Sequence, residues 1–222
     1  MKIIYPLLFL TLSAFHAKAQ YTLTSSSLPI VGDVDIYKDL DSTGLFFGSS
    51  GTSQTWNYTA IGSLTNTPAS NTFVAMSSVP NNFLFPAGTI ATDDGAGNFG
   101  VLSNNSTKYE NLGYATATAS NCWSYSDPLK LYSLPFTYGT VSTDIFKIIQ
   151  PTFTATGTFT TTGDGTGTLQ LPTGNFSNVL KLNYVLYEID TNLTSIQTYT
   201  LLLNQYFSAV SKFPLLEVQT IT

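Results

Sequence analysis

Between Phe153 and Thr161 the chain alternates without a break. Phe153, Ala155, Gly157 and Phe159 fall on one side of an extended backbone, and Thr152, Thr154, Thr156, Thr158 and Thr160 on the other. Successive side chains of a strand point to opposite faces, so the pattern predicts a half-buried strand with a threonine outer face. Gly163-Asp164-Gly165 follows, a tight-turn composition, and then Gly167, Leu169 and Leu171 alternate with Thr166, Thr168 and Gln170. Together the two runs read as a β-hairpin. Pro172 fixes φ and lacks an N–H, so it ends the second run. Thr173-Gly174-Asn175 then supplies turn residues before a further strand from Phe176 to Ile189. In that strand Leu180, Leu182, Tyr184 and Leu186 share a face. The Leu-Pro-Thr-Gly run at 171–174 is therefore a bend between strands. A wall-sorting signal would carry one more residue in the run and an apolar helix with a basic tail after it.

Further strands are predicted for Tyr21 to Ser25, Gly44 to Phe47, Gln54 to Tyr58 and Thr72 to Met76, and for Phe99 to Leu102 joined through Asn104-Asn105 to Lys108 to Leu112. The later ones are Leu129 to Tyr132, Val141 to Ile149, Ile196 to Phe207 and Leu215 to Ile221. In the Ile196 run, Tyr199, Leu201, Leu203 and Phe207 point together. No long window repeats apolar residues at i, i+3, i+4 and i+7, and helix formers are scarce while Thr, Tyr, Phe, Val and Ile abound. The expectation is an all-β fold, an antiparallel β-sandwich or strongly curved β-sheet in a single domain. Parallel pairing is disfavoured because no crossover helices are available. The looser stretch from Gly62 to Asn71 reads as a loop.

The first 19 residues stand apart from this pattern. Lys2, an apolar run from Ile3 to Ala14 and Ala17-Lys18-Ala19 compose a signal peptide, which places the start of the β-rich secreted domain, residues 20–222, at Gln20. The apolar run is shorter than the roughly 20 residues a spanning helix needs, and no later window approaches that length. No transmembrane anchor is expected. A lipid anchor would need a cysteine after the cleavage point, where Gln20 stands. Removing 19 residues from 222 leaves 203, enough for a core without disulfides. The one cysteine, Cys122, reads as a small buried hydrophobe because no positive neighbourhood activates it.

Charge narrows the partners. The chain has no arginine, and its one histidine, His16, lies in the signal peptide. Beyond that peptide stand six lysines against 13 acids, a net charge of −7. Nucleic-acid binding leans on clustered positive charge, so nucleic acid is excluded as a partner.

Three segments carry a resemblance: "GTSQTWNYTAI" (51–61), "DPLKLYSLPFTYGTVSTDIF" (127–146), and "GTGTLQLPTGNFSNVLKL" (165–182) with "YFSAVSKFPLLEV" (206–218) after it. In this order they resemble a group of secreted all-β proteins of Bacteroidetes-type bacteria. Many members leave the cell by the type IX secretion system and carry a C-terminal sorting domain. The resemblance implies secretion and an all-β ectodomain, without assigning a biochemical role. The chain stops at Thr222 without such a domain, which leaves the periplasm as the alternative location.

Without histidine, Ser-His-Asp and Cys-His devices and histidine-built zinc sites are absent, and no Ser-x-x-Lys occurs. A pair of carboxylates remains, as a glycosidase would use. The acids are Asp33, Asp35, Asp39, Asp41, Asp93, Asp94, Glu110, Asp127, Asp144, Asp164, Glu188, Asp190 and Glu217. Most abut turn residues, where Asp serves its own backbone. Asp39, Asp41, Thr43 and Gly44 copy the start of a calcium loop, although Ser50 stands where the closing Glu belongs; the bland reading is a solvated loop. Ca²⁺ is the sole cofactor candidate.

Aromatics make up 14% of the chain, and exposed ones can stack on sugar rings. Trp56, Trp123, Tyr132, Tyr138, Tyr184, Tyr187 and Tyr199 are the pool for such a platform, most of them expected in the core. Asn57-Tyr58-Thr59, Asn105-Ser106-Thr107 and Asn192-Leu193-Thr194 match glycan acceptors; in a bacterial product the match reads as accidental. The sequence thus points to a non-enzymatic binding or adhesion module, secreted or at the cell surface, with a glycan or surface protein as partner. The alternatives are a structural component of an extracellular assembly and a carboxylate-based glycoside hydrolase.

Overall fold

The computed structural model describes residues 20–41, 45–62, 67–150 and 152–222. Its strands are β1 (Val34–Tyr37), β2 (Gly51–Asn57), β3 (Ala69–Ala75), β4 (Ile90–Asp93), β5 (Asn98–Asn104), β6 (Lys108–Thr116), β7 (Trp123–Ser133), β8 (Val141–Gln150), β9 (Phe153–Leu171), β10 (Gly174–Asn192), β11 (Ile196–Phe207) and β12 (Leu216–Ile221). Among the described residues the helical content is four 3₁₀ turns of three residues each. The predicted signal peptide lies outside the described residues.

All twelve strands belong to one open sheet. Its order is β1-β3-β4-β5-β6-β7-β8-β9-β10-β11-β12, with antiparallel neighbours, and β2 is added alongside β9. β7 ties the halves together, pairing with β6 over Lys108↔Ser133 to Tyr114↔Trp123 and with β8 at Tyr125↔Ile148 and Asp127↔Lys147. The all-β, curved and mainly antiparallel expectation holds. One pairing departs from it: β2 runs parallel to β9, from Gly51↔Gly165 to Asn57↔Gln170. No crossover helix is needed, because strands β3 to β8 together form the connection.

The Gly163-Asp164-Gly165 hairpin does not exist. β9 runs unbroken for 19 residues through those glycines, paired along its length with β10. Asp164 is the extra residue of a β-bulge, since Gly163 opposes Leu182 and Gly165 opposes Lys181. The glycines serve close approach. A Cβ at Gly163 would lie 2.1 Å from the Thr137 carbonyl oxygen, and one at Gly167 2.0 Å from that of Gln54. The true reversal is the Pro172-Thr173 bend, with Leu171 opposite Gly174.

Elsewhere, Tyr21–Ser25 is no strand: Leu23 makes a single bridge to Phe136, and Ser25–Ser27 is a 3₁₀ turn. Residues 45–47 are irregular, and Gly44 lies outside the described residues. Two short strands, β1 and β4, arise where no strand was predicted.

The main core gathers Leu129, Tyr132, Phe146, Phe159, Leu180 and Leu182, among others, on one face of β7 to β11. Burying each such side chain contributes about 1.5–3 kcal/mol. Trp56, Leu169, Val179, Tyr206 and Leu216 form a second cluster. Val179 to Leu182 are buried without alternation because β10 is covered on both faces there, Leu180 and Leu182 facing the main core and Val179 the second.

Candidate functional site

β1 inverts the usual strand pattern. Val34 is 46% exposed and Ile36 71%, while Asp35 between them is half-buried. Asp35 lines a cleft of about 200 Å³ between the two halves of the sheet. Phe73 of β3 and Tyr109 of β6 wall one side, and Phe159 of β9 with Tyr184 of β10 belong to the other half. Tyr132 of β7, Phe207 of β11 and Phe213 of the β11–β12 loop complete the aromatic lining.

The rings brace one another. Phe213 stacks on Phe73 with centroids 5.6 Å apart, Tyr109 lies 5.5 Å from Tyr132, and Phe159 5.6 Å from Tyr184. Such pairs resist rearrangement, so the lining is preorganised. Burial pushes the hydroxyls of Tyr109, Tyr132 and Tyr184 far above the ordinary phenol range, so all three stay neutral. The Tyr184 hydroxyl donates to Gln205 Oε1 at 2.8 Å, and Gln205 Nε2 donates to Glu217 Oε2 at 2.7 Å. This relay fixes the amide in the cleft wall.

Two acids and one ion pair set the charge. Lys212 Nζ donates to Asp33 Oδ2 at 2.7 Å, and the Ile30 N–H donates to the same oxygen at 2.8 Å. The lysine bond, with that N–H, holds the Asp33 carboxyl below its usual range. Asp35 moves the other way, pushed up by burial and by the negative charge of Glu217. It forms no salt bridge among the described residues.

The remaining predicted site residues lie elsewhere. Asp39 and Asp41 are exposed, Thr43 lies outside the described residues, and no group of three or more His, Cys, Asp or Glu among the described residues could hold a metal. Of the aromatic pool, Tyr132 and Tyr184 reach the cleft. Trp56 is buried, its indole donating to the Ser49 carbonyl at 2.9 Å. Trp123 stacks on Tyr114, Tyr138 packs against the main core, Tyr187 is exposed, and Tyr199 donates to Gln197.

Glu188 and Asp190, two apart on β10, form a second carboxylate pair. Burial and the neighbouring Asp190 push the Glu188 carboxyl up to about 7. The three Asn-x-Thr triads all build turns: the side-chain oxygens of Asn57, Asn105 and Asn192 each accept from the N–H and hydroxyl of the threonine two residues on. Cys122 is a buried thiol whose sulfur contacts the Thr116 and Thr118 backbone.

Sequence reasoning missed Asp35 as special, together with Phe73, Tyr109, Phe159, Phe207 and Phe213. The run Val-Asp-Ile-Tyr held a usable signal, because a central acid flanked by β-branched residues is an alternation with inverted faces. The phenylalanines carried none, being indistinguishable from core until the two half-sheets face each other. No known protein family, curated protein or solved structure matches the chain.

Proposed function

We propose that the chain is a binding module and that the aromatic cleft between the half-sheets is where its ligand sits. The carrying observation is seven aromatic rings converging on about 200 Å³ with a half-buried carboxyl among them. Binding sites combine apolar walls with a few placed polar groups in this way. The export signal in the first 19 residues and the resemblance to secreted all-β proteins support a role outside the cytoplasm: secreted or at the cell surface, with the periplasm as the alternative. A sugar ring is the first ligand class to test, since stacked rings and neutral hydroxyls suit it. A glycan array and a pull-down from surface extracts, run with wild type and Phe213→Ala, test the reading. A ligand retained by wild type and lost about tenfold or more by the variant is expected; no ligand in either experiment sinks it.

A second reading, a carboxylate glycosidase, is favoured by Asp35 lining this cleft, where burial and then the negative charge of Glu217 push its carboxyl up. It requires turnover of chromogenic glycosides that both Asp35→Asn and Glu217→Gln abolish. The structural-assembly reading rests on the end strands of the sheet, β1 and β12, each paired on one side only among the described residues. Light scattering that shows a monomer at high concentration removes it.

A further inference from the structure

We infer that the aromatic cleft selects a small organic cation, a ligand that places an ammonium group beside the Asp35 carboxylate and among the faces of the tyrosine and phenylalanine rings. The inference rests on the cleft being the binding site, as proposed above, and adds the charge of what it takes.

Three independent observations lead there. The first is the inversion in β1, which turns an acid inward and leaves Val34 and Ile36 in solvent. A strand that violates hydrophobic-in, polar-out at one position loses burial, and such local conflicts concentrate where function requires them. The second is the charge balance. The charged side chains that line the cleft are Asp35 and Lys212, and Lys212 is already engaged by Asp33 at 2.7 Å. Asp35 is thus the acid of the lining, and it forms no salt bridge among the described residues. An anionic ligand would meet repulsion here, whereas a cation relieves it.

The third is the lining. Aromatic faces carry negative electrostatic potential, and several rings around a desolvated ammonium each add attraction on the order of 0.5–2 kcal/mol. Tyr109, Tyr132 and Tyr184 remain neutral phenols over the working pH range, so they contribute ring faces and hydroxyls without charge. The volume suits a group the size of choline or of one amino sugar, and both sources share the ammonium.

Calorimetric titration with two matched pairs tests the idea. One pair is choline and 3,3-dimethylbutan-1-ol, its neutral carbon counterpart; the other is glucosamine and glucose. The charged member of at least one pair should bind about tenfold more tightly than its neutral counterpart. Which pair discriminates tells a free quaternary amine from an amino sugar. Asp35→Asn should reduce the preference to near unity, with Glu217→Gln lowering it less. Asp35 sits on a short strand at the sheet edge, so its isosteric variant is expected to fold, checked by a melting temperature no lower than that of wild type. In wild type, choline affinity should also fall as acid protonates Asp35, a readout that needs no variant. Equal binding within both pairs, or discrimination that survives Asp35→Asn, overturns the cation inference and leaves the cleft as a binding site. Failure of all four probes to bind or to shift the cleft tyrosine resonances overturns the inference and, with an empty glycan array, the cleft reading too.

Discussion

At the scale of single residues, the two most consequential side chains are ionisable groups, one fully buried and one partly buried. Lys181 is 2% exposed, its amine donating to Asp164 and to the Gly48 carbonyl. That contact ties the β9 bulge to the 45–50 segment. Lys181→Met should cost about 3 kcal/mol in urea denaturation, because Asp164 is left as an unpaired, partly buried charge. Adding Asp164→Asn should recover part of the loss. Glu188 acts through protons. Its carboxyl in the folded chain, raised to about 7, lies above the roughly 4.3 of an unfolded glutamate. Folding therefore favours the protonated form: the stabilisation is complete below the unfolded value and is lost as pH rises through about 7. Compared with Glu188→Gln, wild type should lose on the order of 1 kcal/mol between pH 4 and 8, a figure discounted for solvent screening at a partly exposed site. A melting-temperature difference that does not change with pH would refute this.

At the scale of elements, β9 decides how the sheet is assembled. Its first half pairs with β8 from Phe153 to Thr162, and its second half with β2 from Gly165 to Gln170. Both partners lie on the same edge, because β10 holds the other along the whole strand. The glycines make this possible by letting backbones approach where any side chain would collide. Gly167→Ala should push β2 off that edge. Trp56 of β2, now 2% exposed, would then meet water, giving red-shifted tryptophan emission with a loss of roughly 1–3 kcal/mol. Unchanged emission would mean that the parallel pairing is not needed to bury Trp56.

At the scale of the whole molecule, the two half-sheets are not separate bodies. β7 belongs to both, and Tyr109 of β6 packs against the main core of β7 to β11. Thermal unfolding should be one transition, with far-UV and near-UV signals coincident and calorimetric and van't Hoff enthalpies equal. Two resolved transitions would separate the halves and would also mean that the cleft between them opens before the core melts.

Local alternation and composition were enough to determine the all-β class, the Pro172 bend, and the positions of β2, β3, β5, β6, β8, β11 and β12 to within a few residues. Each of these depends on neighbours along the chain, where a period of two is visible. The role of Gly163-Asp164-Gly165 could not be read that way, since the same three residues suit a turn or a bulge and only neighbours remote in sequence, the Thr137 backbone at Gly163 and the Trp56 ring with the Gly51 carbonyl at Gly165, crowd out side chains there. The cleft belongs to the same class of fact. Phe73, Tyr109, Phe159 and Phe213 become a lining, and Asp35 an isolated inward charge, only when long-range pairing folds one half-sheet over the other.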